Sequence, residues 1–555
     1  MDEPFQLNAN VVEIVERKIT PATVTVENGR IVSIDPLEKP EGSESSLPPT
    51  YLLPGFVDSH VHVESSMLVP SEFAKAAVCH GTVATVSDPH EIGNVLGVTG
   101  VEYMLDNAST VPFKFCFGAP ACVPATTFET SGATISVEQV EQLLADDRIG
   151  YLSEVMDFPA VLRRDPDIMR KIKAAQSNGK IADGHAPGLL GEDAANYVAA
   201  GISTDHECFT KQEALDKIAA GCHIAIREGS AARNFEALYS LIDEFPDQVM
   251  LCSDDKHPDE LIVGHIDQLV KRAIKLGLDR FNVLKAACIN PVSLYGLDVG
   301  QLKVGDPADF IEVDDLDSFN VLRTFIDGVV VAQKGTSSIT TTTAKTINKF
   351  VASPRSTEEF AIEARANSGM LNVIQALEGQ LITKSIKAAP LVVDGLVQSD
   401  PSRDILKISV VNRYADAPPA VAMINGFGLA TGAIASSVAH DSHNVIAVGA
   451  DDSSLTRAIN LVIQNQGGLA VVDDSEELAL PLPVAGLMSI LPAAEVAELY
   501  TRLDQQVKKM GSTLRAPFMT LSFMALLVIP DIKLSDKGLF DGTKFQFASL
   551  LDSDS

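Results

Sequence analysis

The sequence has no tryptophan, few aromatic residues and a shortage of positive charge. Aromatic side chains make up 6% of the 555 residues, and 43 lysines and arginines stand against 74 aspartates and glutamates, so that the formal net charge is −31. Proteins that bind a phosphate backbone or an anionic lipid surface need basic patches. The composition therefore argues against a nucleic-acid partner and against docking on a membrane, and it suits a neutral or cationic small substrate better.

Cysteine is scarce and is not arranged in pairs. All seven cysteines lie in the first 290 residues, and no C-x-x-C spacing occurs. Disulfide-rich secreted domains and zinc fingers show the opposite pattern, so we expect reduced thiols in a cytoplasmic protein. The acidic N-terminus has no apolar signal core. The longest apolar run, residues 518–530, is shorter than a bilayer span, and we expect it in a buried core.

The part of the chain from about residue 54 to residue 296 alternates between β-rich and helical patterns. Eight short β-rich runs occur there: 55–63, 82–88, 113–121, 149–155, 180–187, 201–207, 222–230 and 249–255. Helical patterns separate most of them. Eight strands with intervening helices over this length are typical of a (β/α)8 barrel.

The flanking segments predict two further domains. Short strands around an Asn28–Gly29 hairpin turn precede the barrel, and strand-like runs follow it. We expect residues 1–53 and 297–345 to form one small β domain that is split across the chain. Residues 346–555 form a third segment with a helical start and later strands. The predicted fold class is α/β: a TIM-like (β/α)8 barrel, residues 54–296, with a split small β domain and an additional C-terminal α+β domain.

Polar residues are concentrated where the predicted barrel strands end. In the stretch "PGFVDSHVHVESSM", two histidines two residues apart point to the same side of a strand. Five of the eleven histidines fall at strand ends, together with several acids. The residues at these ends are His60, His62, Asp88, His90, Glu91, Glu154, His185, His206, Asp254 and Asp255. Active sites of such barrels form at the carboxyl ends of the strands, so this pattern predicts a site there.

Histidine and carboxylate side chains in this arrangement predict two divalent metal ions. We expect one ion on His60, His62 and Asp254 and the other on His185 and His206. Nitrogen and oxygen ligands are compatible with Zn(II), Fe(II) or Mn(II) and do not choose among them.

Glu154 and Asp254 have additional predicted roles. The Glu154 carboxylate could bridge the two ions by giving one oxygen to each. Two ions about 3.5–4 Å apart can share a water and make it a hydroxide near neutral pH. Asp254 would accept the proton and later deliver it to the leaving group, as general base and then acid.

These residues resemble the amidohydrolase superfamily and, more narrowly, the adenine deaminases of bacterial and archaeal type. The resemblance covers nearly the whole chain and includes "HVHVESSM", "VSDPHEIGNVLG", "DGHAPGL", "TDHE", "SDDKHPDEL" and, in the third segment, "SVAHDSHN" and "LPLPVAGLMS". It implies hydrolytic deamination of adenine to hypoxanthine and ammonia, in purine salvage, by a hydroxide held on two metals that attacks purine C6. The implied metals are Mn(II) or Fe(II), with Zn(II) as a further possibility.

The resemblance also implies that the metal roles fall on His60, His62, Glu154, His185, His206 and Asp254. We further expect adenine and water as the small-molecule partners and a homo-oligomer, a dimer, in the cytoplasm.

The residues that contact the purine are less clearly indicated. Developing charge on the ring nitrogen needs a proton or a donor, and Glu91 or His90 could supply it; both could also simply support the loop. Arg227, Ser230 and Ser253 lie at strand ends and could touch the ring.

The sequence "AHDSHN", with His440, Asp441 and His443, leaves three alternatives open. It could be a lid or pocket wall over the barrel, a structural hydrogen-bond network, or an additional metal site. His440 is a candidate substrate contact under the first of these.

Two other functions are compatible with parts of the pattern. A cyclic amidohydrolase, similar to dihydroorotase or imidazolonepropionase, would share the metals and attack a ring amide. A glutamate at the fourth strand and the additional C-terminal segment count against it. A non-catalytic binding barrel would be expected to have lost metal ligands, whereas all six are present.

Overall fold

The structure is a computed structural model that describes residues 4–37, 49–340, 343–364 and 369–551. The chain starts with four strands: β1 (Phe5–Glu13), β2 (Lys18–Glu27), β3 (Arg30–Pro36) and β4 (Tyr51–Pro54). The predicted turn at Asn28 and Gly29 joins β2 to β3, and both residues have positive φ, 48° and 76°. This is the conformation of a tight two-residue hairpin turn.

Eight parallel strands then form the predicted barrel. They are β5 (Phe56–Val61), β6 (Thr82–Ser87), β7 (Lys114–Ala119), β8 (Ile149–Val155), β9 (Ala182–Gly184), β10 (Ile202–Asp205), β11 (His223–Arg227) and β12 (Val249–Cys252). They are hydrogen-bonded in sequence order. The barrel closes where β12 meets β5, because the Ser59 hydroxyl donates to the Leu251 carbonyl at 2.9 Å and the Asp254 amide donates to the His60 carbonyl at 2.9 Å.

Helices on the outside of the barrel connect these strands. They are α1 (Pro70–Val78), α2 (His90–Leu96), α3 (Val98–Ala108), α4 (Val137–Leu144), α5 (Phe158–Leu162), α6 (Pro166–Ser177), α7 (Gly191–Val198), α8 (Lys211–Ala219), α9 (Phe235–Leu238), α10 (Leu241–Glu244), α11 (Pro258–Leu261), α12 (Ile266–Lys275), α13 (Arg280–Leu284) and α14 (Asn290–Tyr295). A 3-10 turn at Val63–Ser66 follows β5, and a π-helical turn at Lys285–Ile289 joins α13 to α14.

The small β domain is split across the chain, as predicted. After the barrel come β13 (Phe310–Val313), β14 (Val321–Ile326), β15 (Val329–Gln333) and β16 (Thr336–Ser337). They join the N-terminal strands in one eight-stranded sheet, in which β13 pairs with β4. The barrel is therefore inserted between the two halves of this sheet.

The C-terminal part is an additional α+β unit. Its strands are β17 (Ile362–Glu363), β18 (Leu371–Ala376), β19 (Thr383–Ala388), β20 (Leu391–Val393), β21 (Leu396–Gln398), β22 (Leu406–Val411), β23 (Ala420–Asn425), β24 (Ala433–Ser436), β25 (Val445–Gly449), β26 (Gly468–Val472), β27 (Glu477–Pro481), β28 (Ile532–Ser535), β29 (Gly538–Asp541) and β30 (Gln546–Phe547). Its helices are α15 (Asp452–Gln464), α16 (Ala493–Lys509) and α17 (Pro517–Phe523). Eight of the strands form one largely antiparallel sheet.

The predicted helical start of the third segment is wrong. Residues 343–356 have no regular secondary structure, and only a 3-10 turn at Thr357–Phe360 follows. The physical reason is pairing with a distant strand end, because the amides of Val351 and Ala352 donate to the Arg413 carbonyl. The interruption at Pro354 also disfavours a continuous helix.

The apolar run at residues 518–530 lies mainly in buried surroundings, as expected. None of the helices among the described residues combines the length and the apolar character that crossing a bilayer requires.

Candidate active site

The predicted site residues from the barrel converge at the carboxyl ends of its strands. His62 follows β5, Glu154 is the second-last residue of β8, and His185 and His206 directly follow β9 and β10. Nearly all of these side chains are buried, and His185 is partly exposed. A barrel directs the ends of distant strands to one point, which explains how residues about 200 positions apart in the chain come together.

Glu154 lies at the centre of the cluster, and its two oxygens face different histidines. Oε1 is 3.5 Å from His62 Nε2 and 3.3 Å from His90 Nδ1. Oε2 is 2.7 Å from His185 Nδ1 and 3.3 Å from His206 Nε2. The carboxylate thus separates the cluster into two halves, with one oxygen directed to each.

The first half contains His60, His62 and Asp254, whose ligand-type atoms lie within 4.8 Å of one another. Asp254 Oδ1 is 3.4 Å from His62 Nε2 and 3.7 Å from His60 Nε2. Among the described residues, neither ring nitrogen of His60 has a hydrogen-bond partner, although the side chain is buried. A buried polar atom without a partner is costly, so these nitrogens fit the role of metal ligands.

The second half contains His185, His206 and Glu207, which form a further group of this kind. Glu207 Oε1 is 3.7 Å from both His185 Nδ1 and His206 Nε2. The sequence prediction assigned no role to Glu207. Its position directly after His206, in "TDHE", could have indicated that its side chain belongs to the site.

Arg227, at the end of β11, connects the two halves. Its guanidinium donates to Asp254 Oδ2 at 2.7 Å and to Glu207 Oε2 at 2.9 Å. Burial by itself would raise the pKa of Asp254, but the Arg227 charge and His62 hold that pKa well below its usual range. Burial likewise opposes ionisation of Glu154, whose pKa is nevertheless kept well below its usual range, chiefly by His185. Both carboxylates are therefore ionised at neutral pH.

Glu91, at the start of α2, accepts hydrogen bonds from two histidines of the C-terminal part. His440 Nδ1 is 2.5 Å from Glu91 Oε1, and His443 Nε2 is bonded to Glu91 Oε2. Burial would raise the pKa of Glu91, but His440 and His443 hold it well below its usual range. We call His440, Glu91 and His443 the Glu91 clamp.

His90 lies between the Glu91 clamp and the Glu154 cluster. Its Nδ1 is 3.2 Å from Asp88 Oδ2, and its Nε2 is 3.5 Å from Glu91 Oε1 and 3.8 Å from Asp441 Oδ1. His90, Glu91 and Asp441 also have ligand-type atoms within 4.8 Å of one another. The "AHDSHN" sequence thus supplies both a wall of the site and an internal hydrogen-bond network.

The walls of the cavity above the cluster come from both parts of the chain. The barrel supplies His62, His90, Glu91, Glu154, Met156, His185, His206, Glu207, Arg227, Asp254 and Asp255, and the C-terminal part supplies Leu381, His440, Asp441, Phe523, Leu526 and Val528. The ring of His440 stacks on Phe523 at 4.8 Å. The sequence prediction missed Met156 and the four apolar side chains of the C-terminal part, because nothing in their local pattern distinguishes them from ordinary core residues.

Two predicted ring contacts do not line this cavity. The Ser253 hydroxyl is bonded to Asp58 below the cluster, and the Ser253 amide donates to the same carboxylate at 3.0 Å. The Ser230 hydroxyl donates to Glu260 at 2.9 Å, away from the site. Both serines hold loops in place here, whereas Arg227 and His440 do reach the cavity.

Comparison with known proteins gives a consistent result over the whole chain. Two family profiles match: the amidohydrolase family over residues 51–331 and the adenine deaminase C-terminal domain over residues 380–546. The chain is 54% identical over 549 residues to an adenine deaminase of Salinibacter ruber, with 99% of each chain covered. It is 54% identical over 544 residues to one of Sulfurovum sp., which covers 98% of this chain and 99% of the relative. It is 51% identical over 547 residues to one of Methanosarcina barkeri, with 97% and 98% covered.

Proposed function

The chain belongs to the adenine deaminase family, a branch of the amidohydrolases, and on this premise we propose that its barrel site hydrolyses adenine to hypoxanthine and ammonia. Residues 54–296 are the catalytic barrel, residues 1–53 with 297–345 the composite β domain, and residues 346–555 the domain that encloses the site. All seven cysteines are free, which fits a reducing compartment and purine salvage in the cytoplasm.

The amidohydrolase family implies a divalent metal, and the donor set fits two such ions. Two observations support this. The ring nitrogens of His60 are buried without a hydrogen-bond partner, and the two oxygens of Glu154 face different histidines. His60, His62 and Asp254 would hold one ion, and His185 and His206 the other, with Glu154 giving one oxygen to each. Mixed nitrogen and oxygen donors are compatible with Mn(II), Fe(II) and Zn(II), and the family resemblance favours Mn(II) or Fe(II). Bound ions would activate a water near neutral pH and stabilise developing negative charge.

Asp254 is the proposed proton carrier. It takes the proton of the attacking water and delivers it to the departing ammonia. The Arg227 contact at 2.7 Å to Oδ2 fixes the carboxylate and leaves Oδ1 facing His60 and His62. Since Arg227 also holds Glu207, one guanidinium orients both halves of the site.

The proposed donor to the purine ring nitrogen is His90, oriented by Glu91. Glu91 already accepts hydrogen bonds from His440 and His443, so its oxygens act as acceptors and not as proton donors. His90 faces the cavity between Glu91 and Glu154. Attack at C6 moves electron density to the ring nitrogen, where a donor stabilises the transition state.

Substrate entry requires movement of the C-terminal wall. The cavity measures about 30 Å³, which is too small for a purine ring. The barrel wall consists mostly of ionisable groups, whereas the opposite wall contains four apolar side chains, Leu381, Phe523, Leu526 and Val528, beside His440 and Asp441. We expect the apolar wall to open and then to close over the flat, largely apolar ring.

The observation that carries the proposal is the position of Glu154, with one oxygen toward each half of a buried histidine cluster. The test compares adenine, dihydroorotate and hydantoin as substrates of protein purified with Mn(II), with ammonia, hypoxanthine and ring opening as readouts. Equimolar ammonia and hypoxanthine from adenine alone supports the proposal. Ring opening without adenine turnover would indicate a cyclic amidohydrolase, and no turnover with any of the three would favour a binding barrel.

A further inference from the structure

A second cavity, of about 670 Å³, lies beside the candidate active site and shares no lining residue with it. It is bounded by the loop after β11, by the segment from Lys256 to Gly264 and by one face of α12, and Arg515 of the C-terminal part closes one side. We call it the basic cavity. Its volume lies within the range of about 300–1,000 Å³ that small-molecule sites occupy.

The charge of the lining is opposite to that of the protein. Six basic side chains line the basic cavity: Arg233, Lys256, Lys271, Arg272, Lys275 and Arg515. Three acids line it as well: Glu228, Asp259 and Glu260. Two further acids behind the lining pair with it, Asp267 with Lys271 at 2.8 Å and Glu236 with Arg272. The six basic groups still outnumber the five acids, in a chain whose net charge is −31. Clefts that concentrate one sign of charge attract ligands of the opposite sign.

The acids form salt bridges with the guanidinium groups of the cavity, and the ammonium groups of two lysines have no such partner. Arg233 is 2.9 Å from Glu260 and 3.3 Å from Glu228, and Arg515 is 2.9 Å from Glu260. Lys271 is paired with Asp267. Within the described ranges, neither Lys256 nor Lys275 makes a hydrogen bond or a salt bridge, although Lys256 lies near enough to Glu260 to feel its charge.

Lys256 is the more informative of the two lysines. It is only 7% exposed, yet it lines the cavity. Its ammonium group carries three donors. The Lys256 side chain is mostly buried and its ammonium group has no hydrogen-bonded partner, so an anion in the cavity would supply the partner that it lacks.

We propose that the basic cavity binds a small phosphate-bearing anion through Lys256, Lys275 and the free N–H groups of the surrounding arginines. A phosphate offers several acceptor oxygens to donors that converge from different sides, which suits two ammonium groups and a guanidinium fork. The volume exceeds that of a phosphate ion, so the phosphate is either free or part of a sugar phosphate. This site is independent of the deamination chemistry proposed above.

Titration calorimetry of the full-length protein tests this proposal, with inorganic phosphate and ribose 5-phosphate as the two probes. Lys256→Met removes the buried charge, and we expect binding to weaken about tenfold or more, since it loses charge-assisted hydrogen bonds. Lys275→Met, on the exposed flank, should weaken binding about two- to fivefold. Lys173→Met removes an exposed lysine of α6 and should bind like the wild type.

Each outcome decides the proposal. The proposal is supported if the wild type binds a probe saturably, with an affinity that is lower in both cavity variants and unchanged in Lys173→Met. The probe that binds more tightly then shows whether the ligand is free phosphate or a sugar phosphate. If circular dichroism shows that Lys256→Met is not folded, the affinity of Lys275→Met alone decides the proposal. Absence of saturable binding to the wild type, or equal binding by the wild type and Lys275→Met, overturns it.

Discussion

The two walls of the candidate active site differ in chemistry and in how they are held. The barrel wall consists mainly of ionisable side chains at the ends of parallel strands, where Glu154 is hydrogen-bonded to His185 and Asp254 accepts from Arg227. The C-terminal wall is mainly apolar and meets the barrel wall through the Glu91 clamp. The rigid wall suits activation of water, and the apolar wall suits enclosure of a flat ring.

This difference has a consequence for mutations. Loss of the Glu154 carboxylate from the barrel wall should remove metal and activity together, whereas changes in the C-terminal wall should lower activity and leave the metal in place. Metal content and turnover, measured on the same preparation, separate the two walls.

The largest effect is expected for Glu154→Ala. This change removes the carboxylate that faces both halves of the cluster, so we expect fewer than two metals per chain and a fall in turnover of about 10³-fold or more. Metal analysis and an adenine assay check this. Glu192→Ala, on the exposed face of α7, is the matched control. Two metals per chain in Glu154→Ala would rule out the bridging role.

Asp254→Asn should keep much of the metal and lose turnover, by about 10²–10⁴-fold, the range for a proton-transfer group. The amide keeps the shape of the carboxylate but cannot take the proton of water. The measurement is kcat for ammonia release at several pH values. Near-normal kcat in this variant would remove Asp254 from the proton-transfer role.

His443→Gln tests the other wall. It removes one of the two hydrogen bonds that orient Glu91, so we expect unchanged metal content and a fall in kcat of about 10–100-fold, since positioning of His90 is lost. His223→Gln, at the start of β11 and away from the cluster, serves as the control. Metal loss in His443→Gln would mean that the two walls are not separable.

The smallest effect concerns the pH dependence of stability and involves Lys533, which is hydrogen-bonded to two residues of the C-terminal wall. Its ammonium donates to the carbonyls of Leu381 at 2.5 Å and Phe523 at 3.0 Å, two residues that line the cavity. Burial lowers the pKa of Lys533 to about 7. In the pH range between this value and the higher pKa that Lys533 has in the unfolded chain, the unfolded state binds more protons than the folded state. The contribution of Lys533 to the free energy of unfolding therefore rises with pH in this range.

Lys533→Met has no titrating group at this position. The Tm of the wild type should therefore rise relative to that of Lys533→Met as the pH increases from 6 to 9. Thermal unfolding of both proteins across this range gives the difference. A constant difference would show that Lys533 keeps its proton in the folded state.

Much of the fold and part of the site could be predicted because they depend on local patterns. Alternating apolar runs predicted the eight barrel strands, and the rule for strand ends predicted that His62, Glu154 and Asp254 come together. The Asn28–Gly29 turn was predictable because those residues favour positive φ.

The remainder depends on contacts between distant parts of the chain. No local signal pairs Glu91 with His443, which is 352 residues away, or selects Phe523 as part of a cavity wall. The predicted helix after Asn348 failed for the same reason, since pairing with Arg413 overrides the local preference. Ser253 was expected at the ring, but the nearby Asp58 carboxylate accepts its hydroxyl instead.

The most direct test of the account is anomalous diffraction from crystals of the protein loaded with Mn(II). We expect two peaks, one beside His60, His62 and Asp254 and the other beside His185 and His206, with one Glu154 oxygen next to each. A single peak, or a peak at His90, Glu91 and Asp441 in place of one of these, would contradict the central claim that Glu154 joins two metal positions in the barrel wall.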